Sequence, residues 1–214
     1  LEAAAAGRGL FTIRPDPDGI VRRVPVIMKA EGHFRPALAI ELLRVATGSN
    51  ALVVKSAQNG VDAIVLAGIQ IPTDANGRVW VKFNKHDLNR YVSAAAVLRG
   101  DPAAMKKLQG KLAIIGTSAI GLLDTKTTPL ESVMPGVEIH AQLIENIMSN
   151  QLLSRPSYAI GAELVAMVVT AGIIILLVPV LGAAWVLAIG AAMGAILIGG
   201  AFYLFERYGL LFDV

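Results

Sequence analysis

The chain has 214 residues, no cysteine, 19 Lys and Arg against 16 Asp and Glu, and a mean hydropathy of +0.61. Lack of cysteine excludes a disulfide framework, a thiolate nucleophile and a cysteine metal site, and the scattered basic residues exclude a nucleic-acid-binding arm. All of those basic residues but Arg207 precede Ala159, so the apolar last quarter and the polar remainder are read separately.

Leu10 to Ile13 and Ile20 to Met28 are apolar, β-rich stretches on either side of Arg14-Pro-Asp-Pro-Asp-Gly19. Pro, Asp and Gly favour turns, so this region predicts a β-hairpin with a long turn. Pro36 then opens a helix over 36–47, with Leu38, Leu42 and Val45 at helical spacing and Gly48 to stop it. The runs Ala51 to Val54, Ala63 to Ile71 and Val79 to Phe83 read as strands. Pro72-Thr-Asp-Ala-Asn-Gly77 supplies the turn of a second hairpin.

Short helices are predicted over 92–98 and 102–108, the second with Pro102 in its first turn and Asp101 as its cap. Gly110 ends it, and Lys111-Leu-Ala-Ile-Ile-Gly116 has the apolar character of a buried strand. A polar loop through Thr127, Thr128 and Pro129 follows. From Gly136 the spacing of Val137, His140, Ile144 and Ile147 predicts a helix packed on the 111–116 strand. The short connector Gln151 to Pro156 leads to Ala159 with too few residues for a floppy tether.

Leu164 to Phe205 is a run of 42 residues without a charged side chain. About 20 apolar residues cross the hydrocarbon of a bilayer, so the run is long enough to cross twice. Pro179 and Gly182 place a break where a hairpin needs one. The predicted organisation is a polar domain over 1–158, spans over 159–178 and 185–205, a hairpin loop over 179–184, and the start of a third span over 206–214. Both ends read as sections of a longer protein. Gly190 and Gly194 lie on a small-residue face suited to helix packing within one chain or between two. Glu163, near the start of the first span, reads as an interfacial carboxylate. The hairpin loop carries no Lys or Arg, so charge does not orient it. The fold class is α+β (mixed α/β), followed by a transmembrane helical hairpin.

Gly116-Thr-Ser-Ala-Ile-Gly121 follows a predicted strand, but its second glycine comes one residue late for a nucleophile elbow, and no Gly-Lys-Ser or Gly-Lys-Thr makes it a phosphate loop. Asp16-x-Asp18-Gly19 and Asp74-x-Asn76-Gly77 resemble fragments of calcium loops without the twelve-residue spacing or the closing Glu, and read as turns. His33, His86 and His140 show no metal-ligand pairing. No catalytic residue, metal ligand or cofactor is predicted. The polar members of the 116–136 loop, Thr117, Ser118, Asp124, Thr127 and Thr128, are candidates for ligand binding, or else satisfy backbone groups beside a strand end. A membrane-anchored enzyme with its site on this loop and a pure dimerisation scaffold are the alternatives.

Thr128-Pro-Leu-Glu-Ser-Val-Met-Pro-Gly-Val-Glu-Ile-His-Ala141 closely resembles the carboxy-terminal part of a CHASE2 domain. Phe11 with Pro15 to Gly19, Arg22-Arg-Val-Pro25, Pro36-Ala-Leu-Ala, Glu41-Leu-Leu-Arg44, Gly110 to Ala119 and Asp124 agree in order. The resemblance implies the extracytoplasmic sensor of a bacterial adenylate or guanylate cyclase, histidine kinase or related receptor. In that family the sensor is typically followed by three spans and a cytoplasmic output domain. It further implies a multi-pass protein of the bacterial inner membrane, with the sensor periplasmic or extracellular. The expected partners are the lipid bilayer, an unidentified small-molecule or other stimulus and a second copy in a homodimer, with no nucleic acid.

Overall fold

The computed structural model describes residues 4–58, 60–117 and 124–213. It is mixed α/β with small sheets, followed by two long apolar helices, and it divides into two compact units, Leu1–Leu152 and Leu153–Val214.

In the first unit, β1 (Arg23–Pro25) pairs antiparallel with β7 (Arg78–Trp80), and β2 (Ile27–Ala30) with β3 (His33–Pro36). β4 (Val53–Ala57), β5 (Gly60–Leu66) and β6 (Ile69–Pro72) form an antiparallel sheet, and β8 (Thr125–Lys126) pairs with β9 (Met134–Pro135). Two tight turns define the β2–β3 and β5–β6 hairpins. Glu31 and Gly32 both have positive φ, 52° and 80°, and so do Ala67 and Gly68, 49° and 83°. Such two-residue turns match the right-handed twist of the flanking strands.

These pairings correct three expectations. The hairpin about residues 14–19 does not form, because Leu10 bridges Ala37 and Ile20 bridges Thr127. The run Ala63 to Ile71 is two strands folded back at Ala67-Gly68, and the turn at 72–77 joins strands with different partners, β6 with β5 and β7 with β1. Lys111 to Gly116 joins no ladder among the described residues, and Ile115 is 96% exposed. Gly116 lies against Val137 of the following helix, as expected, and Ile114 packs on the core, but no strand among the described residues pairs with the segment to make it the buried strand its composition suggests.

The helices follow the sequence more closely. α1 (Leu38–Ala46) buries Ala39, Ile40 and Leu43 and ends at Gly48. α2 (Ala94–Leu98) and α3 (Pro102–Leu108) are short, and the Asp101 carboxylate accepts from the Ala103 N–H at 3.1 Å. α4 (Gly136–Met148) is buried on nearly all sides. Its Ile139, Leu143, Ile144 and Ile147 join Val24, Val26, Ile40, Ile64, Ile71, Val79 and Met134 in one hydrophobic core. Full burial of each such side chain stabilises by about 1.5–3 kcal/mol, so this core is the main force ordering the small sheets.

The second unit contains α5 (Ala159–Leu177) and α6 (Ala183–Tyr208), both long and apolar enough to cross a membrane. α6 runs through Glu206 and Arg207 before Gly209, at φ 64°, caps it. The chain then returns to the start of α5. Ser154 N–H donates to the Gly209 carbonyl and Leu211 N–H to the Ser154 carbonyl, each at 2.9 Å. Arg155 completes the junction with ion pairs to Glu163 at 2.8 Å and Asp213 at 2.9 Å.

Candidate functional site

The loop candidates fall at the head of α4. Thr127 Oγ1 donates to the Ser132 carbonyl at 3.0 Å, and the Thr127 carbonyl accepts from the Val21 N–H at 2.8 Å. Thr128 is buried and exchanges backbone and hydroxyl hydrogen bonds with Glu131, closing the β8–β9 turn. Asp124 accepts from Gly136 N–H at 2.7 Å through its carbonyl. Its carboxylate lies over the first turn of α4, where a Cβ added to Gly136 would stand 2.6 Å from Oδ1. Glycine is thus the residue that admits a negative charge at this helix terminus, where the aligned backbone dipoles favour it. Thr117 is exposed and makes no side-chain hydrogen bond among the described residues, and Ser118 lies outside them. The structure therefore brings Asp124, Thr127 and Thr128 into one hairpin at the head of α4, and Gly116, next to Thr117, lies against Val137 of the same helix.

The most developed polar geometry is on α4 itself. Gln142 and Asn146, four residues apart on one face, each grip a backbone amide of the strand-like segment 82–84. Gln142 accepts from Asn84 N–H at 2.9 Å and donates to its carbonyl at 3.1 Å, and Asn146 does the same to Lys82 at 2.7 and 3.2 Å. A turn earlier, buried Glu138 accepts from Tyr91 Oη at 2.7 Å and Gln142 Nε2 at 3.3 Å, and pairs with His86 Nδ1. Burial first, then that hydrogen bond, raises the Tyr91 hydroxyl above its ordinary range, so it stays a donor. Arg90 adds a bond to Glu145 at 2.7 Å. Residues 82–91 are thus strapped along α4 by side chains at 138, 142, 145 and 146. His140 reaches the other way and donates Nε2–H to the Phe11 carbonyl at 3.2 Å. Its burial lowers its pKa and keeps the ring neutral.

A second feature is a groove of about 440 Å³ between α1, the β2–β3 hairpin and β4. Phe34, Arg35, Leu52 and Val54 line it beside the Glu41–Arg44 pair. Arg44 grips Glu41 through both carboxylate oxygens, at 2.7 and 2.8 Å, and this cation holds the Glu41 carboxyl below its ordinary value. Arg35 is exposed and has no ion pair among the described residues. The groove mixes apolar wall with the Arg35 cation and the neutralised Glu41–Arg44 pair. Sequence reasoning missed it because its walls come from three elements whose meeting no local pattern records.

The two Asp-rich turns also meet. Arg23 pairs with Asp16 and with Asp74 at 3.2 Å, and Arg78 pairs with Asp74 at 2.8 Å. Arg23 also lies 4.8 Å above the Trp80 ring. Guanidinium groups occupy the carboxylates, which makes the pair of turns a structural junction.

The CHASE2 domain family model matches residues 2–182. The chain belongs to the CHASE2 family. No curated protein and no solved structure matches it. CHASE2 domains are extracytoplasmic sensor domains of signalling receptors and are not catalytic. The block from Thr128 to Ala141 that suggested the family now has physical content. Thr128 closes a turn, Pro135 and Gly136 start α4 under Asp124, Glu138 anchors Tyr91 and His86, and His140 anchors Phe11. The match also runs through all of α5, so the CHASE2 unit includes a candidate membrane helix.

Proposed function

We propose that residues 1–158 are the sensory part of a bacterial inner-membrane receptor, and that α5 and α6 carry its signal toward a cytoplasmic output domain, an adenylate or guanylate cyclase or a histidine kinase. The observation that carries this reading is the CHASE2 match continuing from the polar domain through α5. The ten residues 149–158 between α4 and α5 give motion little slack. A stimulus acts by its differential affinity for two packings of the domain. The 440 Å³ groove is one place for it, and the hairpin carrying Asp124, Thr127 and Thr128 at the head of α4 is another.

The receptor works as a homodimer in this reading. Gly190 packs within the chain, its Cβ direction meeting Ile174 Cδ1 at 4.0 Å, whereas Gly194, Gly199 and Gly200 meet nothing within 4 Å. Those open positions let a second α6 approach closely.

The test is a flexible four-residue Gly-Ser insertion after Leu152 in the full-length receptor, with nucleotide product or phosphotransfer measured across its stimulus range. The insertion is expected to abolish the stimulus dependence and leave basal output in place. An unchanged response would contradict transmission through this connector.

A further inference from the structure

From Val92 to Gly116 the sequence carries Arg99, Lys106, Lys107 and Lys111 against one acid, Asp101. All four cations are exposed and make no ion pair or side-chain hydrogen bond among the described residues. Asp101 is committed to capping α3. Apolar side chains stand out beside these charges, Leu98 at 87% exposure, Met105 at 49% and Leu112 at 43%. Along α3, Pro102, Met105, Lys106 and Gln109 recur at helical spacing and, with Leu108, line an open hollow of about 510 Å³. Ala104 is the one buried residue of this helix. α3 thus turns one small side chain inward and a methionine between cations outward.

Apolar side chains set among lysines with almost no acid is the pattern of a segment lying on an anionic lipid surface. We propose that α2 and α3 rest on the anionic headgroups of the membrane that holds the chain's own helices. The ammonium and guanidinium groups meet lipid phosphates, and Leu98 and Met105 enter the boundary between headgroups and acyl chains. Such a surface supplies both anions for the charges and an apolar layer for the two exposed side chains. The proposal rests on the membrane reading of α5 and α6 and adds a second, salt-sensitive contact.

The protein has no cysteine, so single thiols can be placed and labelled cleanly. Leu98→Cys and Met105→Cys chains, with Val53→Cys as an exposed control, are labelled with a fluorophore. Each is reconstituted in lipid nanodiscs carrying nitroxide-headgroup lipid, with or without phosphatidylglycerol. Quenching is expected at 98 and 105 but not at 53, only in anionic discs, and is lost in high salt, which screens charges beyond about 3 Å at 1 M. Lys106→Gln and Lys107→Gln each lower the quenched population about fivefold. Equal quenching in neutral discs, or none in anionic discs, overturns the proposal. So does self-quenching between labelled copies in place of lipid quenching, which would make this face a contact between two chains. Chains that never enter the discs would instead refute the membrane reading itself.

Discussion

Along α4 every polar side chain but Glu145 is buried, and Glu138, His140, Gln142 and Asn146 all find partners. Along α5, ten residues further on, the large apolar side chains face outward, with Val165 at 59% exposure, Met167 at 64% and Leu176 at 74%. Its mid-helix Thr170 satisfies itself by donating to the Ala166 carbonyl at 2.7 Å. α4 uses polarity to fix neighbouring backbone, which is worthwhile only in a protein interior where an orphaned amide is costly. α5 presents an outer surface apolar enough for a bilayer, and its mid-helix backbone groups pair within the helix. The same accounting of hydrogen bonds and burial suits α4 to a protein interior and α5 to an apolar medium.

The comparison can be broken at several points, with effects of decreasing size. Gln142→Leu keeps the volume of α4 but orphans both backbone groups of Asn84. Chemical unfolding should report a loss of about 4 kcal/mol, about 2 kcal/mol for each group left without a partner. Val168→Lys puts a charge on the outward face of α5, where insertion should become less favourable by about 3 kcal/mol. A glycosylation or protease-protection insertion assay reads this, and a soluble helix would tolerate the same change.

A smaller effect comes from His140, whose pKa burial holds below its ordinary 6.5. As pH falls the unfolded chain takes up this proton first, so the contribution is whole above that ordinary value and disappears as pH drops through the folded one. His140→Gln, which keeps a donor for the Phe11 carbonyl, should flatten this part of the stability profile. At the junction of α5 and α6, Arg155→Ala should cost about 1 kcal/mol, because Asp213 is exposed and its ion pair is well screened. The double exchange Arg155→Glu with Glu163→Arg should recover part of it. Thr127→Ala should change stability by about 0.5 kcal/mol or less, its hydroxyl being exposed.

What the sequence made legible was local. Asp101 and Pro102 set the start of α3, the periodicity after Gly136 set α4, and the uncharged run set α5 and α6. What it hid was non-local. Ile20 looked like half of a hairpin, yet its bridge partner is Thr127, more than a hundred residues away. The turn at Ala67-Gly68 was obscured because alanine rarely takes a positive φ, so the apolar run read as continuous. The segment 111–116 has the composition of a strand, but a ladder needs a neighbour, which composition does not supply. At the site, Glu138 and His140 were visible as a motif of hydrogen-bonding residues while their partners were not, because Tyr91, His86 and Phe11 arrive from distant parts of the chain. Gln142 and Asn146 were open to discovery, as two amides four residues apart on one face of a helix.

In the proposed receptor α5 is expected to cross a membrane away from the sensor domain and α6 to cross back. Single cysteines at Phe34, on the β2–β3 hairpin, and at Val180, between the helices, test it most directly in spheroplasts treated with a membrane-impermeant thiol reagent. Both positions are exposed, at 60% and 78%. The account predicts that Phe34→Cys reacts in intact spheroplasts and that Val180→Cys reacts only after permeabilisation. Reaction of both thiols from the same side would contradict it.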